Sequence, residues 1–279
     1  MKNIAYYEGR TSLIDEMMIP ANDRAFYFGD GIYEAATVYN HKIFALDDHL
    51  DRMFNSAAIV NIKLPYTREE YAAILKDLVK QVDHEIQFLY WQVSRASAPR
   101  GHAFPGDAKP TLYVYSKPLE KVEMKDDYHL ISVPDTRYFH CNCKTLNLIV
   151  NVMAADQAKS CGCQEVVFIR DGLVTEGSHS NIHIIKEGKL ITHPLDNLIL
   201  PGTERKHILR YCDQLGIPYE ERAFSLDELK AADEIVISST SQPFMRAISV
   251  DGQPAGGKDP EICEKIRSCY WAEVADLYE

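Results

Sequence analysis

Two kinds of hydrophobic pattern alternate along the chain. In "LDDHLDRMFNSAAIV", Leu46, Leu50, Met53, Phe54 and Ala57 fall on one helical face. In "TREEYAAILKDLVKQV", Tyr71, Ile74, Leu75 and Leu78 do the same, and Thr67 with Glu70 forms a capping box at its start. "GTERKHILRYCDQLG" predicts a helix stopped by Gly216. Ser225 with Glu228 caps a short helix, and Asp259 and Pro260 open the last one as N-cap and first helical residue. Between these, "EIQFLYWQVSRA" and "TLYVYS" predict strands in the first half. "YHLISV", "QEVVFIR", "LVTEGS", "NIHIIKEGKLIT" and "DEIVIS" predict strands in the second, with "RDG" and "KEGK" as hairpin turns. Hairpins mixed with helices predict an α/β fold of mixed α+β character, not a doubly wound parallel sheet. The charged, irregular "SKPLEKVEMKDD" marks a linker. The expected organisation is an N-terminal α/β domain over 1–118, a linker over 119–127 and a C-terminal α/β domain over 128–279.

Composition narrows the class. With 46% hydrophobic residues in 279, the chain can bury a sizeable core. Its 30 basic against 41 acidic residues give a net charge of −11, which disfavours nucleic acid and anionic membrane as partners. No segment approaches the roughly 18 apolar residues of a membrane span, and no export signal is visible at the start. Seven cysteines, an odd number, then read as reduced thiols in the cytoplasm. No repeat or low-complexity segment is present.

The stretch "RYFHCNCKTLNLIV" holds the sharpest chemical question. Cys141 and Cys143 form a C-x-C pair, and Cys161 and Cys163 form another. Four thiolates would suit zinc and make the protein a metal-binding interaction module. C-x-C, however, places two strand side chains on one face about 7 Å apart and is uncommon at such sites. Otherwise these cysteines are small buried hydrophobes and no metal is held. The adjacent Lys144 runs into "TLNLIVNVMAADQA", an apolar, small-residue helix pattern. A lysine at such a boundary is partly desolvated, which disfavours the ammonium and frees the amine as a nucleophile.

A Schiff-base lysine serving pyridoxal phosphate needs further parts. The cofactor's ring nitrogen needs a carboxylate, and its phosphate needs helix-terminal amides, hydroxyls and a cation. Glu176 lies in a small-residue turn in "LVTEGSHSNIHII". "LPGTERKHIL" is a Pro-Gly turn opening a helix, and "VISSTSQP" ends a strand with hydroxyl residues Ser238 to Ser241. Arg52, in "DHLDRMF", supplies a cation. Singly each of these reads equally as a turn, a cap, a loop or a solvated face.

Taken together, "DRAFYFGDGIYEAATVYN", "HLDRM", "CKTLNL", "VTEGSHSNI", "LPGTER" and "SSTS" resemble the fold-type IV pyridoxal-phosphate enzymes, in the family's order and over almost the whole chain. The resemblance implies two α/β domains with the cofactor at their interface, and a homodimer. It implies that Lys144 holds the cofactor and shuttles the substrate proton, that Glu176 pairs with the ring nitrogen, and that Arg52 grips the phosphate. The amides of Thr203 and Glu204 with the hydroxyls of Ser239 and Thr240 would complete the phosphate cup, and Leu200 would pack on the ring. "SAPRGHAFP" resembles the substrate-carboxylate trap of the D-amino-acid transaminases in this family. There Arg100 and His102 would act from the neighbouring subunit and Tyr33 would complete the trap. Glu34 matches a carboxylate that links the lysine to solvent in that subgroup. The implied reaction is ping-pong transfer of an amino group from a D-amino acid, D-alanine first, to a 2-oxo acid such as 2-oxoglutarate.

Two positions depart from the family pattern. Glu204 stands where a threonine is usual, so a carboxylate is expected to weaken the hold on a phosphate. His179 replaces a small residue in "EGSHS" and either narrows the pocket or faces solvent. The rival readings within the fold are an L-branched-chain aminotransferase, which needs no Arg-x-His loop of this kind, an R-selective amine transaminase, and a lyase that shares the lysine.

Overall fold

A computed structural model describes residues 3–107 and 109–279. The chain divides into two compact units. The first comprises Met1–Lys121, Cys143–Asn147 and Asp276–Glu279. The second comprises Val122–Asn142 and Leu148–Ala275.

The first unit contains β1 (Ile4–Tyr7), β2 (Arg10–Ser12), α1 (Arg24–Phe28), β3 (Gly31–Tyr39), β4 (Lys42–Ile43), α2 (Leu46–Ile59), α3 (Arg68–Val79), β5 (Ile86–Ser94) and β6 (Thr111–Pro118). The strands form one antiparallel sheet in the order β2-β1-β6-β5-β3-β4. β5 and β6 alternate buried and half-buried positions, which is why their sequences read as strands. β3 is buried at nearly every position, so it carries no alternation, and the sequence analysis passed over it. One sheet face packs Trp91, Leu89 and Val93 against Leu50 and Met53 of α2 and Leu75 of α3. Trp91 Nε1 also donates to Met53 Sδ at 3.1 Å. The Thr67–Glu70 capping box opens α3 as expected.

The lysine segment joins this first unit through backbone pairing. Tyr33 N donates to Lys144 O, Leu146 N donates to Gly31 O, and Ile32 bridges Thr145. Lys144 therefore packs with residues 1–121, not within 128–279 where the sequence analysis placed it, and helix α4 (Ile149–Ser160) starts five residues beyond it.

The second unit adds β7 (Tyr128–Pro134), β8 (Glu165–Arg170), β9 (Leu173–Val174), β10 (Asn181–Lys186), β11 (Lys189–Thr192), α5 (Thr203–Leu215), β12 (Tyr219–Glu221), α6 (Leu226–Ala231), β13 (Glu234–Ser239), β14 (Gln242–Val250), β15 (Gln253–Pro254) and α7 (Pro260–Ala275). Its sheet runs β12-β11-β10-β13-β14-β7-β8-β9, with β15 on β14. β7 is parallel to both β8 and β14, so the sheet is mixed. α5 ends at Gly216 in the left-handed conformation, and Ser225 with Glu228 forms the capping box of α6. Of the predicted strand "LVTEGS", only Leu173 and Val174 are strand. The rest is a buried loop, because Ser178 N, Ser178 Oγ and Ser180 Oγ all donate to the buried Glu165 carboxylate. Gly177 must lack a side chain there, since a Cβ would stand 2.2 Å from Ser180 Oγ. Among the described residues no helix is long and apolar enough to cross a membrane.

Gly31 is the tightest point beside the lysine segment. A Cβ there would meet Val93 O and Leu146 Cδ1, each at 2.7 Å, and the first of these is backbone. Gly31→Ala is expected to cost about 1–3 kcal/mol of folding stability through overpacking, read as a lower urea midpoint.

Candidate active site

β3 directs neighbouring side chains to opposite faces of its sheet. Tyr33 faces one way and stacks on Tyr90 with ring centroids 5.6 Å apart. Lys144 Nζ lies 4.0 Å from the centroid of the Tyr33 ring. The lysine is half-buried and its backbone is fixed on both sides, by Tyr33 N to its carbonyl at 2.9 Å and by its own N–H to Ser56 Oγ at 3.2 Å. An ammonium on an aromatic face is held without a carboxylate to neutralise it.

Glu34 faces the other way and is fully buried. Arg52 grips it with two nitrogens, Nε to Oε1 at 2.8 Å and Nη2 to Oε2 at 2.7 Å, and His49 Nδ1 lies 2.9 Å from Oε2. Burial pushes the Glu34 carboxyl up, but the Arg52 charge and the hydrogen bonds from Arg52 and His49 outweigh it and hold the group at about 2. His49 is pushed below its ordinary value, first by burial and then by the nearby Arg52 and Lys144 charges, against the pull of Glu34. With no exposed surface, Glu34 is the counter-ion that orients Arg52.

Arg100 and His102 are exposed and stand around one ring, that of Phe28. The Arg100 guanidinium carbon lies 5.0 Å from its centroid and the His102 ring 5.4 Å. Among the described residues no hydrogen bond, ion pair or ring contact joins either of them to Tyr33 in the same chain.

In the second unit Glu176 is buried and held by three groups. Arg137 Nη1 donates to Oε1, Leu200 N donates to Oε2 at 2.8 Å, and Asn181 Nδ2 donates to Oε2 at 3.2 Å. Burial pushes the carboxyl up, while Arg137 and the Leu200 amide pull it down. Arg137 is itself locked by the buried Asp135, which also pairs with Arg170 at 3.0 Å. Leu200 thus contributes its backbone, giving its N–H to Glu176 and its carbonyl to Asn181 Nδ2 at 2.9 Å.

α5 starts at Thr203 behind Gly202, which offers no side-chain cap, and α5 packs on β13. Thr203 and Glu204 are buried in its first turn. At the end of β13, Ser239 Oγ is buried and has no hydrogen-bond partner, and Thr240 follows it. His179 is half-exposed. Its Nδ1 lies 3.1 Å from Glu165 Oε2 and 2.8 Å from Ser178 Oγ, so it braces the loop that carries Glu176.

Arg137 and Asp135 lie outside the family motifs quoted above, whereas His49 and Asn181 lie inside "HLDRM" and "VTEGSHSNI" but gain their roles only from the carboxylates they meet in the fold. As for the cysteines, Cys143 Sγ donates to Ser56 O and burial pushes both Cys141 and Cys143 up to about 11. Among the described residues no group of three or more His, Cys, Asp or Glu is arranged to hold a metal.

Comparison with known proteins bears on the same residues. The family model described as amino-transferase class IV matches residues 31–250. The chain belongs to the class IV aminotransferases. A D-alanine aminotransferase of Bacillus licheniformis is 38% identical over 256 residues, 91% of this chain and 90% of that protein. One from Staphylococcus aureus (strain COL) is 37% identical over 256 residues, 90% of this chain and 91% of the relative. Among solved structures, a branched-chain aminotransferase of Thermoproteus uzoniensis with norvaline superposes with a TM-score of 0.89 at 24% identity, covering 98% of this chain and 95% of that one. One from Escherichia coli gives 0.88 at 20%, covering 98% and 94%. These structural likenesses establish the fold-type IV architecture of the chain.

The Glu34–Arg52 pair sets an acid limit. Because folding lowers the Glu34 pKa from 4.5 to about 2, its stabilising contribution is complete above the ordinary carboxylate range and is lost as pH falls from about 4.5 toward 2. Glu34→Gln is expected to cost about 3–5 kcal/mol near neutral pH, by leaving the Arg52 charge unpaired. It should also flatten the stability curve across that acid window, as measured by denaturant titration at a series of pH values.

Proposed function

We propose that this aminotransferase transfers amino groups between D-amino acids, D-alanine foremost, and 2-oxo acids such as 2-oxoglutarate, using pyridoxal phosphate. The observation that carries the D-specific reading is the Arg100–His102 pair. Two donors converge on one aromatic ring, exposed and, among the described residues, with no carboxylate paired to the guanidinium. The D-alanine aminotransferases among the relatives support the same reading.

The donor set fits the cofactor. An uncapped helix start and, on the strand that this helix packs against, a buried, unpartnered Ser239 hydroxyl both suit a phosphate. Thr203, Glu204, Ser239 and Thr240 would hold it, with Arg52 as the cation. Glu176, oriented by Arg137, Asn181 and Leu200 N–H, would pair with the ring nitrogen, and Leu200 would lie against the ring. When bound, the group supplies an electron sink for the negative charge left at the substrate Cα. Lys144 Nζ would hold the cofactor and act as the base that takes the Cα proton and returns it. Its attachment to β3 through Tyr33 N anchors the backbone from which that nitrogen reaches. Arg100, His102 and Tyr33 would bind the substrate carboxylate, Arg100 through a two-nitrogen fork. The reading includes a homodimer in which Arg100 and His102 serve the neighbouring subunit, and a cytoplasmic enzyme whose seven unpaired thiols stay reduced.

A donor panel of D-alanine, D-glutamate, L-alanine, L-leucine and (R)-1-phenylethylamine tests the specificity. The D-amino acids should dominate, and activity with L-leucine while D-alanine stays inert would refute the assignment. Lys144→Ala should abolish transamination, whereas Cys141→Ser should leave it largely intact. Arg100→Ala should raise KM for D-alanine about tenfold or more. Mixing refolded Lys144→Ala and Arg100→Ala chains should recover, in part, the low KM for D-alanine that Arg100→Ala alone lacks, because one subunit then supplies the lysine and the other the arginine. Failure to complement would count against the shared site.

A further inference from the structure

The loop that carries Arg100 and His102 has little packing of its own. A Cβ added at Gly101 or Gly106 would meet nothing within 4 Å, and residues 100–104 are exposed. What fixes it is a buried cation from a distant segment. Arg24, only 3% exposed, donates Nε to Asp30 Oδ2 at 2.6 Å and Nη1 to the carbonyl of Gly101, also at 2.6 Å. Gly101 is the residue between Arg100 and His102. The Arg24 guanidinium carbon also lies 4.9 Å from the Phe28 centroid, the ring on which Arg100 and His102 stand. Asp30 is shared with Arg95, whose Nε reaches Oδ1 at 2.9 Å and whose guanidinium carbon lies 3.5 Å from the centroid of Phe104, two residues past His102. Arg95 is fixed in turn by the carbonyls of Asn61 and Val60.

We propose that Arg24, acting with Asp30 and Phe28, is the positioning residue of the Arg100–His102 pair. By tying the carbonyl between them to the partly buried Asp30 carboxylate, it presents both donors preset for a substrate carboxylate. Arg24 does not meet substrate itself. The inference rests on the carboxylate-binding reading of Arg100 and His102 and adds the element that gives them their geometry. A planar guanidinium is required, because one side chain must reach Asp30 and Gly101 O together while lying against Phe28. A lysine ammonium keeps the charge but lacks that fork.

The test is steady-state kinetics of the holoenzyme with D-alanine and 2-oxoglutarate for Arg24→Lys, Arg100→Ala and the double variant. Arg24→Lys should raise KM for both substrates by about tenfold to a hundredfold, since displacing a binding group by about 1 Å costs that much. kcat should fall much less, and the thermal midpoint and the cofactor absorbance should hold. In the Arg100→Ala background the same change should add little, because two residues acting through one contact are not additive. An unchanged KM, equal effects in both backgrounds, or a fall in kcat and thermal midpoint without a KM change would each overturn the proposal. If Arg24→Lys does not fold, Phe28→Leu removes the shared ring and leaves the Arg24–Asp30 pair in place. It should reproduce the KM pattern, and an unchanged KM there would overturn the proposal equally. If Arg100→Ala alone leaves KM unchanged, the carboxylate-binding reading itself fails, whereas an effect of Arg100→Ala with none of Arg24→Lys removes only the positioning role.

Discussion

The site of the first unit depends on the pairing of one short segment with one strand. Cys143–Asn147 lies against the start of β3 through Tyr33 N to Lys144 O, Leu146 N to Gly31 O, and the Ile32–Thr145 bridge. Because side chains alternate along β3, this fixes two environments at once. Tyr33 turns to the lysine, and Glu34 turns inward to Arg52. A slip of one residue would exchange them, placing a carboxylate at the lysine and a phenol against the buried guanidinium. The tolerance is small, since Gly31 is closed in by both Leu146 and the Val93 carbonyl.

Charge is handled differently at the chain's two carboxylates of interest. Glu34 has a bidentate arginine and a histidine, and its burial is more than compensated. Glu176 is also buried but shares Arg137 with Asp135, so burial prevails and the carboxyl is pushed up. A carboxyl of that kind gains most from a cation placed against it, whereas Glu34 already has its partner. The two acids are thus suited to different work by their neighbours, not by their own chemistry.

Local signals were legible in the sequence where a short rule governs them. The capping boxes at Thr67–Glu70 and Ser225–Glu228 and the stop at Gly216 need only residues within a turn of each other. Alternation revealed β5 and β6 but hid β3, which is buried on both faces and reads as neither helix nor half-buried strand. The helix after Lys144 was expected to start directly at the lysine. Residues 144–147 follow β3 instead, a tertiary pairing between positions more than a hundred apart. Lys144, Glu176 and Arg52 could be named because each lies in a motif. Arg137 and Asp135 lie in no such motif, and His49 and Arg24, though inside "HLDRM" and "DRAFYFGDGIYEAATVYN", are distinguished only by partners that folding brings near.

Asp30 stands between Arg24 and Arg95, one carboxylate for two guanidinia, and Arg100 adds a third cation to the same loop. In a chain of net charge −11, this loop base gathers more guanidinia than the one carboxylate it shares. A field of that kind draws small anions toward the loop from a distance of about 8 Å at physiological salt, the screening length there. The overall acidity of the chain repels such anions elsewhere on its surface. The encounter with a 2-oxo acid is thereby biased toward this loop, and the bias fades as added electrolyte shortens the reach of the field.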